Sequence, residues 1–169
     1  MLRSVPALSL GQQASDAEGF AQALGQSFET FGFAVISDHG VDPALIARTW
    51  ELTRAFFALP VEAKLRYVLP GTGGARGYTP FGIEIAKDAD KHDLKEFWHV
   101  GRDLPPDHRF RDRMPDNIWP EEIAGFRETL QAIFAAFDLA GNKLLGGIAR
   151  YLGLAPDWFD TAVQDGNSV

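Results

Sequence analysis

The stretch from Trp119 to Gly153 constrains the fold most. Ile123, Phe126, Leu130, Ile133, Phe137, Leu144, Ile148 and Leu152 recur at helical spacing and keep to one face. Pro120-Glu121-Glu122 suits a helix N-terminus, where unsatisfied backbone donors and the macrodipole favour negative charge. The spacing predicts a helix over about 120–152, roughly three times the mean globular length. A single apolar face that long needs something broad to lie against. The strands on offer are short and dispersed: 5–10, 33–37, 77–81 and 96–100. They do not make a convincing closed sheet. The predicted fold class is therefore α+β with an incomplete core sheet, a scaffold whose partner sheet is missing.

Other elements follow from local chemistry. Ser15-Asp16-Ala17-Glu18 has capping-box form, and Phe20, Leu24, Phe28 and Phe31 give the helix behind it an apolar face that Gly32 ends. Asp42-Pro43 predicts a second helix start, with Ile46, Trp50, Phe56 and Phe57 as its apolar bulk and Pro60 as its stop. Residues 60–67 predict one more short helix. Ser37-Asp38-His39-Gly40 is turn chemistry.

At 169 residues the chain is long enough for one domain with a real core, and it is taken as a single unit over 1–169. A net charge of −7 without a Lys/Arg run argues against nucleic acid, which needs a basic footprint. The absence of cysteine removes disulfides, thiolate catalysis and cysteine-ligated metals. The N-terminus lacks the apolar segment of a signal peptide, and no run of about 18 apolar residues is seen to span a membrane. The expectation is a cytoplasmic protein without a membrane partner.

Chemistry concentrates between residues 71 and 101. Gly71-Thr72-Gly73-Gly74-Ala75-Arg76-Gly77 lacks the Lys-Ser/Thr pair of a phosphate loop, and Tyr78-Thr79-Pro80 cannot open the helix such a loop needs. A turn is the better reading. The histidines, His39, His92, His99 and His108, have no acid two residues on, so the His-x-Asp form of an iron site is missing. One arrangement remains open: on a helix, His92, Glu96 and His99 would share a face and could ligate zinc or iron. The β-prone run Phe97-Trp98-His99-Val100 argues for a strand instead. The acids Glu84, Asp88, Asp90, Asp93 and Glu96 read as a solvated loop. What survives is Arg76, whose guanidinium can fork onto a carboxylate, with Tyr78, Phe81, Phe97 and Trp98 as aromatic walls. Set against this is the bland reading of core aromatics beside a surface charge.

Four ordered blocks resemble one family. Gly32-Phe33-Ala34-Val35-Ile36-Ser37-Asp38-His39-Gly40 is similar to the entry motif of the isopenicillin N synthase-like non-haem Fe(II) oxygenases, most of them dependent on 2-oxoglutarate. Phe56-Phe57-Ala58-Leu59-Pro60 with Glu62 and Lys64, then Arg76 to Gly82, then Lys95 to Gly101, resemble the blocks that follow. The resemblance covers the family's N-terminal half. It implies the helical and strand portion of a double-stranded β-helix (jelly-roll) oxygenase, with the long helix bracing that jelly roll. It also implies Fe(II), 2-oxoglutarate and O2 as cofactor and cosubstrates, and a small organic substrate that is hydroxylated or desaturated. The iron ligands and the 2-oxoglutarate arginine of the family are not matched by Val169. Residues 1–169 alone are therefore expected to hold no metal or catalytic residue and not to turn over substrate. Arg76, Tyr78, Phe81 and Phe97 match the family's blocks and are the expected substrate-binding residues. A stand-alone, non-catalytic α+β binding module is the rival reading.

Overall fold

Helix α1 (Ala17–Phe31) forms where Phe20 and Leu24 fall one turn apart, and both are buried. The computed structural model describes residues 4–85 and 90–164. The cap of α1 is Asp16, whose carboxylate accepts from the Gly19 backbone N–H at 2.8 Å. The expected serine cap is thus displaced by one residue. The Ser15 hydroxyl donates back to the Gln12 carbonyl at 3.2 Å, and the carboxylate one position on reaches the third helical donor. Gly32 closes the helix at φ 80°, donating to the Phe28 carbonyl.

Strand β1 (Ala7–Ser9) lies parallel to β2 (Val35–Ser37), with α1 in the crossover that a parallel pair requires. β1 is shorter than predicted because Leu10 opens a 3-10 turn (Leu10–Ala14) and turns inward. These elements belong to a first compact unit, formed by the described residues up to Asp42 together with Ala135–Gln164. Its core is Leu10, Phe20, Leu24 and Ala140, with Leu8, Ile36, Leu144 and Ile148 packed against them.

A second unit takes in Pro43–Phe134. Helix α2 (Pro43–Phe57) starts on its proline as predicted and turns Leu52 and Phe56 inward. Trp50, expected among its apolar bulk, is 61% exposed, with the Arg54 guanidinium 6.0 Å above its ring. Helix α3 (Val61–Leu65) follows Pro60. Strand β3 (Gly77–Thr79) runs antiparallel to β4 (Phe97–His99), with Tyr78 opposite Trp98. Both of those rings pack on Phe56, at 5.8 and 4.7 Å between centroids, and Phe126 joins them at 5.8 Å. Among the described residues the four strands make two separate pairs, as the incomplete-sheet reading anticipates.

Helix α4 (Phe126–Tyr151) is 26 residues long and starts at Phe126, not at Pro120. The residues before it are held otherwise. Arg66 pairs with Glu122, and the Tyr67 hydroxyl donates to Glu122 at 2.6 Å while accepting from the Glu121 N–H at 3.0 Å. Gly125, at φ 78°, then breaks the helical backbone. The helix is about twice the mean length rather than three times. Phe126 and Leu130 serve the second core, and Ala140, Leu144 and Ile148 the first. Phe137, Leu139 and Leu152, by contrast, are exposed. By length and by the mean hydropathy of 1.3 in an 18-residue window, α4 passes a composition test for crossing a membrane that core helices also pass. Asp138 and Lys143 lie inside it, and each would be costly in a bilayer. A last short helix, α5 (Asp160–Val163), follows Gly153, whose φ is 71°.

Candidate functional site

The site grows from the pleat of β3 and β4. Alternate side chains take opposite faces, so Tyr78 and Trp98 go to the aromatic core while Thr79, Phe97 and His99 take the other face. The glycine-rich segment before β3 turns over that second face. Gly71, Gly73 and Gly74 all sit at positive φ, and His99 Nδ1 donates to the Gly74 carbonyl at 2.5 Å. A strand, not a helix, follows the turn, which bears out the turn reading over the phosphate loop. Gly77 is needed twice over: its φ is 71°, and a Cβ there would run into the Tyr67 carbonyl and Ile118.

Tyr78 is 2% exposed and its hydroxyl donates to Glu96 Oε2 at 2.5 Å. The same oxygen receives Lys64 Nζ at 2.7 Å, and Lys64 also donates to the Phe57 carbonyl at 3.2 Å. Lys64 Nζ lies 5.5 Å from the Tyr78 ring. Burial, then the hydrogen bond and charge of Glu96, push the Tyr78 phenol well above its ordinary range. One carboxylate thereby ties α3, β3 and β4 together. Such a buried pair adds little net stability, but removing one partner strands the other. Sequence reasoning placed Glu96 in a solvated loop and passed over Lys64. The available signal was a lysine set among apolar residues, with an acid directly before the β-prone run 97–100.

Arg76 is 1% exposed, so it is no surface charge. Its Nη1 donates to the Ala75 carbonyl at 2.6 Å, and a Cβ at Gly101 would overlap the guanidinium carbon. Gly101 is therefore a close-approach glycine. Its N–H donates to Asn117 Oδ1 at 2.9 Å and its carbonyl accepts from Asn117 Nδ2 at 2.7 Å. Burial lowers the Arg76 pKa, and the charge of Asp103 works against that shift.

Of the four expected substrate-binding residues, Arg76 and Tyr78 are buried, Phe97 is half-buried and Phe81 is 56% exposed. Tyr78 lies on β3, Arg76 just before it and Phe81 two residues after it, and Phe97 lies on β4 opposite Thr79. Beside β3 lies a cleft of about 180 Å³ lined by Val68, Leu69, Tyr78, Pro80 and Ile83, among others.

The helical metal face is ruled out. His99 lies on a strand, bonded to the Gly74 carbonyl, and the Glu96 carboxylate is taken by Lys64 and Tyr78. His39 and His108 accept through Nδ1 from the N–H groups of Val41 and Phe110. Among the described residues no three His, Asp or Glu side chains gather as metal ligands, so these residues do not fit an iron site. Asp88, one of the loop acids, lies outside the described residues. Glu84 pairs with Lys95, which also reaches Asp93 at 3.3 Å.

Comparison with known proteins agrees with the ordered blocks. The family model described as non-haem dioxygenase in morphine synthesis N-terminal matches residues 5–122. A solved structure from Caulobacter crescentus, described as a 2OG-Fe(II) oxygenase family protein, matches at TM-score 0.87 and 52% identity. The match covers 97% of this chain and 53% of that one. The 2-oxoglutarate-dependent dioxygenase ucsF of an Acremonium species is 26% identical over 98% of this chain and 52% of its own length. Validamycin A dioxygenase of Streptomyces hygroscopicus subsp. limoneus is 31% identical over 97% and 47%. The chain spans about half the length of the curated relatives it matches. With the mixed helix-and-strand architecture and incomplete sheet described above, these matches show that the chain belongs to the N-terminal family of the non-haem dioxygenases.

Proposed function

We propose that residues 1–169 form the N-terminal, substrate-side region of an Fe(II)/2-oxoglutarate-dependent oxygenase that oxidises a small organic molecule with O2. The observation that carries this reading is the 52% identity, over 97% of this chain, to the Caulobacter 2OG-Fe(II) oxygenase family protein. Iron and 2-oxoglutarate would be held by residues other than those described here, since no ligand set gathers among them. Bound, the iron would supply the oxidising power. This region supplies shape. Phe81 and Phe97 would contact substrate, while Arg76 and Tyr78 would act from beneath, fixing β3 against Gly101 and Glu96. The exposed Phe137, Leu139 and Leu152 suit α4 to brace a jelly roll.

Two measurements test the proposal. The reading frame after Val169 is expected to encode a strand, a His-x-Asp pair and a later second histidine, and a stop codon there would contradict it. Anaerobic titration of the 169-residue chain with Fe(II) and 2-oxoglutarate is expected to give no charge-transfer band. Such a band would show that the chain binds both groups by itself.

A further inference from the structure

The cleft beside β3 has a wall chemistry that selects its occupant. Its lining includes three residues with polar side-chain tips, and all three residues are almost fully buried. The Tyr78 hydroxyl is on Glu96. The Arg76 guanidinium lies on Gly101 with Nη1 on the Ala75 carbonyl. Thr79 Oγ1 is buried beneath the glycine turn, where a Cβ at Gly74 would fall 2.8 Å from it. What faces the cleft is mainly carbon, with Val68, Leu69, Pro80 and Ile83 in its lining.

A carboxylate entering here would lose hydration against a wall that is mainly carbon. An apolar ring loses nothing of the kind, and cavities of about 150 Å³ with aliphatic and aromatic walls do take up benzene. The cleft, at about 180 Å³, is of that size. At its edge Ile83 is 62% exposed, and Phe81, two residues before it, is 56% exposed. Both offer apolar surface to whatever substituent the ring carries.

We propose that this cleft is a binding site for a single apolar ring, aromatic or cycloalkyl, and that it discriminates against carboxylates. Ring binding does not depend on the oxygenase reading, and the two can fail separately.

The test is an NMR titration of the 169-residue chain with benzene, cyclohexane and benzoate, following the methyl signals of Val68, Leu69 and Ile83. Benzene and cyclohexane are expected to shift all three, with benzoate binding at least about tenfold more weakly. Ile83→Trp, a change at an exposed position, is expected to weaken benzene by about tenfold or more by filling the mouth. Methyl signals that stay still up to saturating benzene would overturn the site. Benzoate binding as tightly as benzene would overturn its apolar character, and unchanged affinity in Ile83→Trp would overturn its location.

Discussion

At the scale of single residues, the main result is where the polar groups of the candidate site point. Tyr78 looks like a substrate contact in the sequence, yet its hydroxyl faces inward to Glu96. A phenol whose folded pKa is raised stabilises the fold while neutral. That contribution is whole below the unfolded value of about 10 and is lost as pH rises beyond it. Thermal melts above that pH should therefore fall more steeply for the parent chain than for Tyr78→Phe, and equal slopes would contradict the pairing. At neutral pH, Tyr78→Phe is expected to cost about 1.5–3 kcal/mol in urea denaturation, the usual worth of a hydrogen bond to a charged acceptor. Arg76 and Gly101 make a similar point. Neither shows in the sequence that one is small so that the other can lie against it.

At the scale of elements, local chemistry decides most starts and stops, and the exceptions have local causes. Asp16 caps α1 because a carboxylate at that position reaches the Gly19 N–H. Asp16→Ala is expected to lower stability by about 1 kcal/mol, read as a shift in the urea midpoint without a change in slope. Ser15→Ala should do much less, since the Ser15 hydroxyl bonds outside the helix. The late start of α4 is a tertiary effect. Pro120 and two acids are good helix-opening residues, but Arg66 and Tyr67 engage Glu122, and Gly125 takes a left-handed backbone.

At the scale of the whole molecule, the described residues hold two cores, and α4 contributes to both. The aromatic cluster around Phe56 dominates the second. Phe56 is fully buried and touches the rings of Tyr67, Tyr78, Trp98 and Phe126. Phe56→Ala is expected to cost about 3–5 kcal/mol. Against a typical margin of about 5–15 kcal/mol, that leaves little stability, and circular dichroism melts would show it directly. Trp50→Ala, on the same helix but exposed, should change the melt little. A melt as depressed as that of Phe56→Ala would count against this placement of α2.

The sequence by itself determined the α+β class, the incomplete sheet, the helix start at Pro43 and, to within one residue, that of α1, the glycine turn before β3 and the oxygenase resemblance. Each rests on chemistry within a few residues of chain, or on blocks read in order. Tertiary structure decided what no local window holds. Glu96 meets Lys64 from 32 positions away, Gly101 meets Arg76, and Trp50 turns out while Phe56 turns in. The character of the cleft belongs to that second group. Its lining includes Arg76, Tyr78 and Thr79, a polar set in the sequence, and only packing buries them and leaves a mainly carbon wall. Periodicity assigns a side chain to a face, but the partner waiting there, which sets burial and charge, comes from distant chain.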